Sequence, residues 1–548
     1  MPLSATKKRR KEMKKAATLF TMFMVIAIAL SACSTPAAPQ EKTSTVPAVP
    51  AADEQKPTKE VTTEEKEAMP SKDDLNISIN MALSSISPFG TVSIQDLQVH
   101  NQVFEGFYFV DDTAQPHPRL AEKYEVSEDG KVYTFHMRKD AYFHNGDNVK
   151  ASDAVFSYKT AKEAPVVKSY LAPMVGVEAV DDYTVKITLN APYVPFINNT
   201  ASIRIVSERE VTEQGEDYGT KLTTSGTGPY KIVEYNPDQA IVLEAFDKYY
   251  RGVAPIKKVT FFPITDTSSG LIAFESGELD FYTIPLSNWA EIENSGKFNT
   301  ALNPTSHISY VAVNLNKPQL KDVRVREAIA YAIDKEAVNL AAYEGLAEIA
   351  DHMFNPKYIT GASKDAMSYS YDPEKSKALL AEAGLPDGFD AGSITTISGL
   401  YYEKIAQVIQ ANLAEVGISA TINAVEQATA TKIQRAGDFD IACTGFNAVF
   451  DYDFFRRSVH SNMLETAFIK FKNSEDVDWA RIDKYFDDGS AELDPVARDQ
   501  IYLDLDNYLM ETATFLPMFY KTNSYAWDKD LNVVLGLNYN YVYDWSWN

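Results

Sequence analysis

Between residues 309 and 512 segments with strand periodicity alternate with segments of helix periodicity, and that alternation narrows the fold more than any other feature of the chain. Residues 307–316 alternate, with Ile308, Tyr310, Val311 and Val313 as the apolar positions. Asp322 to Ile333 then places Val325, Ala328, Ile329 and Ala332 on one helical face. Further helices are predicted over Pro373–Ala383, stopped by Gly384, and over Tyr402–Val416, stopped by Gly417, with a strand at Ile418–Val425. Asp440–Thr444 reads as a buried strand carrying Cys443, a core thiol, and helical spacing returns at 498–511 before a strand-rich tail from Phe515. Strands joined through helices call for an α/β fold with at least one parallel sheet.

The N-terminal half has a different texture. Leu75–Asn80, Val132–Met137 and Tyr183–Leu189 have period two, the mark of half-buried strands. A helix is predicted to start near Lys150–Tyr158 with Ser152 as its cap. Gly226-Thr227-Gly228-Pro229-Tyr230 is a Gly/Pro turn followed by strands at 230–235 and 240–246. It lacks the Lys-Ser/Thr ending of a phosphate loop, which argues against nucleotide binding. Gly277 is read as a helix stop. From about Asp73 onward the chain is too long for a single core, so two or more domains are expected, with binding in the crevice between lobes.

The first 72 residues follow other rules. A basic segment from Lys7 to Lys15 precedes an apolar run from Ala16 to Leu30, which closes on Ser31-Ala32-Cys33. Charge, a run of about fifteen apolar residues and small residues before a cleavage point have the composition of a secretory leader; a lasting span needs roughly twenty residues. Ending on Cys, the site resembles the lipobox of bacterial lipoproteins. That resemblance implies a leader at 1–32, a lipidated Cys33 and an extracytoplasmic, membrane-anchored chain. Residues 34–70 hold six Pro, six Glu and no aromatic, a composition that cannot offset the entropy of ordering. They are read with their flanks as a disordered tether over 33–72; fully extended, the 37 residues 34–70 reach at most roughly 120–130 Å.

Charge and rare residues exclude several functions. Counted from Cys33 the chain carries 45 basic and 75 acidic residues, a formal charge of −30, and such a surface repels nucleic acid. With Cys33 lipidated, Cys443 is the remaining thiol, which leaves no intrachain disulfide and no redox pair. The seven His, at 100, 117, 136, 144, 307, 352 and 460, form no HExxH motif and no close pair, and no Gly-x-Ser-x-Gly elbow occurs. Neither an enzyme, a cofactor nor a protein-held metal is expected.

Four blocks carry a resemblance that spans the folded region. They are Pro118–Gly130 with Phe135–Gly146 and Ala151–Ser157 behind it, Gly226–Tyr230, Asn314–Asp334, and Tyr371–Gly384. In this order they resemble the extracytoplasmic solute-binding proteins of peptide-type ABC importers, the oligopeptide/dipeptide/nickel-binding family 5. The resemblance implies a two-lobed periplasmic-binding-protein-like fold of class II type, with an extra inserted domain and two hinge strands near 308–314 and 510–517. Domain I would comprise 73–103, 226–308 and 513–548, domain II 104–225, and domain III 309–512. It further implies a monomer that encloses a short peptide and hands it to a membrane permease and ATPase. A nickel chelate, an oligosaccharide or an opine is the alternative cargo, and ligand sensing an alternative role.

A peptide's ammonium end needs a carboxylate, and its carboxylate end needs a cation or free N–H groups. By position, Asp451 and Asp453 match the family's amine-recognising stretch, with Tyr452 where the family usually has Pro. Arg456 and Arg457, followed by His460, form either a ligand-carboxylate site or an internal salt-bridge cluster. Phe446, Phe450 and Trp289 are candidate lining residues, and Ser87 lies in Ser84–Phe89, which resembles the family's first ligand loop.

Overall fold

The computed structural model describes residues 72–90, 93–359, 361–399, 401–447, 451–463 and 477–548. The leader, Cys33 and the tether to residue 71 lie outside the described residues, as does Phe450.

Two long antiparallel strands, Asn299–Val313 and Phe515–Trp527, are the spine of an 11-stranded mixed sheet. Each serves one lobe with one half and the other lobe with the other. Residues 307–313 pair with Ile441–Asn447, and through it with Phe389–Ile397 and Ile418–Val425. At the opposite end Phe281–Thr283 pairs with residues 525–527 and leads to Asp74–Ile79, Lys258–Pro263, Ala240–Ala245 and Tyr230–Asn236. The ladder between the long strands shifts register between Pro304 and Ile308 and again between Ser309 and Tyr310. An extra residue bends a strand and breaks its ladder, so the crossover from lobe to lobe coincides with the least regular pairing.

The upper half of this spine is buried on both faces, which is why its sequence is apolar without clean alternation. Ile308, Tyr310 and Ala312 pack in one core with Phe354, Tyr452 and Phe515, whereas Val311 and Val313 pack in another with Ile329, Leu380 and Ile409. Cys443 belongs to the second core, and burial pushes its thiol up to about 12, as expected of an inert core residue. A separate four-stranded antiparallel sheet runs Ala121–Val126, Val132–Met137, Thr184–Leu189, Met174–Asp181.

Helix ends follow the sequence signals closely. Val323–Ala332 is capped by the Asp322 side chain, Pro373–Glu382 by Asp372, and Gly384 takes a left-handed φ of 82° after the second. One expected cap is corrected. The helix Ala151–Glu163 starts from Lys150 and not from Ser152, because Asp153 accepts the Lys150 backbone N–H at 2.9 Å and thereby fixes the first turn. The Gly226-x-Gly228 turn is a packing device: a Cβ at Gly226 would sit 2.3 Å from the Val103 carbonyl oxygen, and one at Gly228 2.4 Å from that of Gln102. No helix among the described residues is long and apolar enough to cross a membrane.

Candidate functional site

A cavity of about 250 Å³ lies where three distant stretches meet, near 109–112, 167–204 and 534–544. Its position is fixed from the helix Ile94–Val103. Gln102 donates through Nε2 to the Asn540 carbonyl at 2.7 Å and accepts from the Val542 N–H at 3.0 Å, while Gln98 accepts from the Asn540 N–H at 3.2 Å. Asp112 accepts the Leu537 N–H at 2.7 Å, tying a second stretch to the same tail. Asn303 donates to the Gly536 carbonyl at 2.9 Å and Ser306 to Asn538 Oδ1 at 3.0 Å, which hangs the tail over the irregular part of the spine.

The lining carries both signs of charge. Arg204 is the cation: its guanidinium donates to the Ala201 carbonyl at 2.6 Å and to Asn101 Oδ1, and no carboxylate lies within ion-pair distance of it among the described residues. Burial lowers its pKa, opposed by the surrounding Tyr541 and Tyr539. Asp111, Asp112 and Asp544 are the acids. Burial alone would raise Asp111, but the bonds from His117 and from the Gln115 and Thr113 N–H groups outweigh it and hold the carboxyl at about 2. Burial raises Asp112 in spite of its bond from Leu537. His100, also at the wall, is driven by burial down to about 4 and is neutral at physiological pH. A site of this kind can hold an acidic group at Arg204 and a cationic one at its carboxylates, with tyrosine rings between.

The residues named from sequence are distributed otherwise. Asp451 is buried and paired with Arg498 Nη2 at 2.7 Å; burial raises its pKa and Arg498 opposes the rise. Asp453 is buried too, with Arg456 Nε at 2.9 Å and the Tyr193 hydroxyl at 2.7 Å. Arg456 continues to Asp487 at 2.7 Å and Ser490 at 3.0 Å; burial disfavours its charge, but Asp453 and Asp487 outweigh that and the net pKa is raised. Asp451, Asp453 and Arg456 thus join Arg498 and Asp487 in internal ion pairs, one of the two arrangements that the sequence left open, whereas Arg457 takes no part in it. Tyr193 and the bond from the Val194 N–H to the Ser490 carbonyl at 2.8 Å join this cluster to the part of the chain that carries the four-stranded sheet.

Arg457 differs from its neighbour. It donates to Ser169 Oγ and lies over the rings of Phe454 and Tyr170, at 4.5 and 5.4 Å from their centroids, and Tyr170 lines the cavity. Ser87 is buried beside the cavity-lining Pro88, its Oγ accepting the Phe89 N–H at 3.4 Å. Phe446 stacks on Phe455 and meets the edge of Tyr310. Trp289 packs in a separate core with Phe274 and Tyr282. Arg204 was not singled out from sequence, although a lone cation inside Ile203-Arg204-Ile205-Val206 is the signal that marks it. The tail 534–541 offered only its tyrosines.

Tyr452, the departure from the family pattern, has its own partner. Its hydroxyl donates to Asp506 Oδ1 at 2.9 Å, and its ring stacks on Tyr502. Asp506 is buried, its Oδ2 lacks a hydrogen-bond partner, and burial raises its pKa to about 7. A folded-state pKa raised above the unfolded value means the native chain holds an extra proton between roughly pH 4 and 7, so this group's contribution to stability falls as pH rises through that window. The loss is on the order of 3–4 kcal/mol. Asp506→Asn is expected to gain on the parent in urea midpoint as pH rises from about 4 to 8, with the widest gap at pH 8; equal midpoints at pH 8 would show that Asp506 ionises without cost.

Comparisons with known proteins agree on one family. Residues 115–462 match the family described as "Bacterial extracellular solute-binding proteins, family 5 Middle". The chain is 32% identical to the dipeptide-binding protein of Escherichia coli K12 over 386 residues, 65% of this chain and 71% of that protein. It is 29% identical to heme-binding protein A of Haemophilus influenzae over 411 residues, 69% of this chain and 74% of that one. Among solved structures, DppA of Helicobacter pylori in complex with the peptide STSA aligns with a TM-score of 0.74 at 25% identity, covering 87% of this chain and 98% of that chain. NikA of Brucella suis in complex with Fe(III)-EDTA aligns at 0.78 and 25%, covering 87% and 100%. The relatives' cargoes range from peptides to chelates.

Proposed function

The chain belongs to the bacterial extracellular solute-binding proteins of family 5, which deliver small solutes to ABC importers, and from that premise we propose that its solute is a short peptide. One observation carries the reading: the cavity sets an arginine that has no carboxylate partner among the described residues, and three aspartates, within one small volume. A peptide is the common solute with a carboxylate at one end and an ammonium at the other. The volume, about 250 Å³, lies just below the roughly 300–1,000 Å³ usual for small-molecule sites and suits two or three residues. In this reading Arg204 meets the peptide carboxylate, and Asp111 or Asp112 the ammonium.

The proposed anatomy is domain I at 73–103, 226–308 and 513–548, domain II at 104–225 and domain III at 309–512. The four-stranded sheet, which lies wholly within 104–225, and the irregular pairing near 304–310 support it. Capture follows from closure about the two long strands, because a ligand shifts the open and closed populations by the contacts it makes better in the closed form. Lipidated Cys33 would anchor the protein outside the cytoplasmic membrane, with 34–72 as its tether. The reading is tested by what the protein carries when isolated: a set of short peptides is expected, and one non-peptide mass would overturn it.

A further inference from the structure

Lys521 lies on the spine strand Phe515–Trp527, opposite the irregular stretch 305–307 of its partner. Thr305 Oγ1 donates to the Lys521 carbonyl at 2.9 Å, so the backbone here is held. Side chains two apart on a strand share a face, which puts Lys521 on the face of Asn523; Asn523 is paired with Asn303, and Asn303 reaches the carbonyl of Gly536 in the cavity wall. Lys521 therefore lies on the side of the sheet over which the cavity-lining tail hangs. Its Nζ makes neither an ion pair nor a hydrogen bond among the described residues, and the side chain is half-buried.

A half-buried ammonium without a partner is a standing cost to the fold. Burial lowers the Lys521 pKa, and no neighbouring carboxylate restores it. Elsewhere on the spine the chain does supply partners: Asn303 and Ser306 are both satisfied from 536–538. Lys521, by contrast, has no such partner among the described residues. We propose that Lys521 is a specificity-determining contact that takes a second acidic group of the bound solute, so that the preferred cargo is an acidic short peptide. This rests on the peptide reading and adds a side-chain carboxylate to the terminal one assigned to Arg204.

The test is calorimetry on the intact protein with matched dipeptides, alanyl-glutamate against alanyl-glutamine and glutamyl-alanine against glutaminyl-alanine, so that the acid is offered at either position. In at least one pair the acid is expected to bind about tenfold more tightly, the worth of one charge-assisted hydrogen bond. In Lys521→Met the preference should shrink to within about twofold while the amide affinity is kept, and in Lys521→Arg it should persist. Because Lys521→Met removes an unpaired charge, its melting temperature should equal or exceed the parent's, which separates lost recognition from lost folding. Dipeptides bound without preference for the acid would overturn this inference and leave the peptide reading standing. A preference that survives in Lys521→Met would overturn the assignment to Lys521, and no binding of any dipeptide would remove both.

Discussion

Arg498→Leu is expected to lower stability by about 3–5 kcal/mol, because it strands Asp451 as an uncompensated charge in a dry interior. Arg498 is 3% exposed and Asp451 5%. The guanidinium also donates to the Gly489 carbonyl at 2.8 Å, so its loss unties the helix Trp479–Ala491 from Pro495–Glu511 as well. A urea titration followed by tryptophan fluorescence and by far-UV circular dichroism checks this, two probes being needed since a chain of several domains need not unfold in one step. Asp451→Asn in the same background should recover part of the loss, as a double-mutant cycle on a real pair requires. If Asp451 instead awaits a ligand's ammonium group, Arg498→Leu will cost under about 1 kcal/mol and tighten the binding of amines.

Arg204→Met is expected to weaken the binding of free-acid dipeptides by about 30-fold or more, since truncating one partner of a desolvated charge pair costs 2 kcal/mol and upward. Arg204→Lys keeps the charge but loses the planar fork, and its affinity should fall between the two. Folding should survive, because among the described residues the guanidinium has no carboxylate to strand. The Ala201 carbonyl and Asn101 Oδ1 each lose a donor, and Ala201 lines the cavity. Dipeptide amides give an independent control: the parent should bind them as weakly as Arg204→Met binds the acids. Equal affinity of the parent for acid and amide would show that Arg204 does not hold the terminal carboxylate.

Local elements were legible because local physics makes them. Period-two stretches such as Val132–Met137 became strands, and capping residues such as Asp322 and stops such as Gly384 fell where helices begin and end. The spine was only half legible. Its strand starts at Asn299, eight residues before the alternating pattern, because Asn303, Pro304, Thr305 and Ser306 have polar or backbone partners in place of an apolar face. The cavity was not legible at all. Its walls come from residues more than four hundred positions apart, and a hydrogen bond such as Asp112 to Leu537 leaves no periodic trace.

The residues around Asp451 show the complementary limit. Sequence placed two carboxylates and two arginines side by side, which is compatible with a receptor for a zwitterion and with a self-satisfied cluster. Choosing between them needs the third element, Arg498 and Asp487 from the helices that follow, together with Tyr193 from far upstream. Arg204 stands at the opposite pole, inconspicuous in sequence yet without a carboxylate in ion-pair distance among the described residues.

The most direct test of peptide capture is native mass spectrometry of the protein purified from cells grown in rich medium, followed by denaturing release and sequencing of the bound material. The account predicts a heterogeneous set of peptides two to three residues long, enriched in Asp and Glu. A single non-peptide mass, or an empty protein that gives no heat with a dipeptide library, would contradict it.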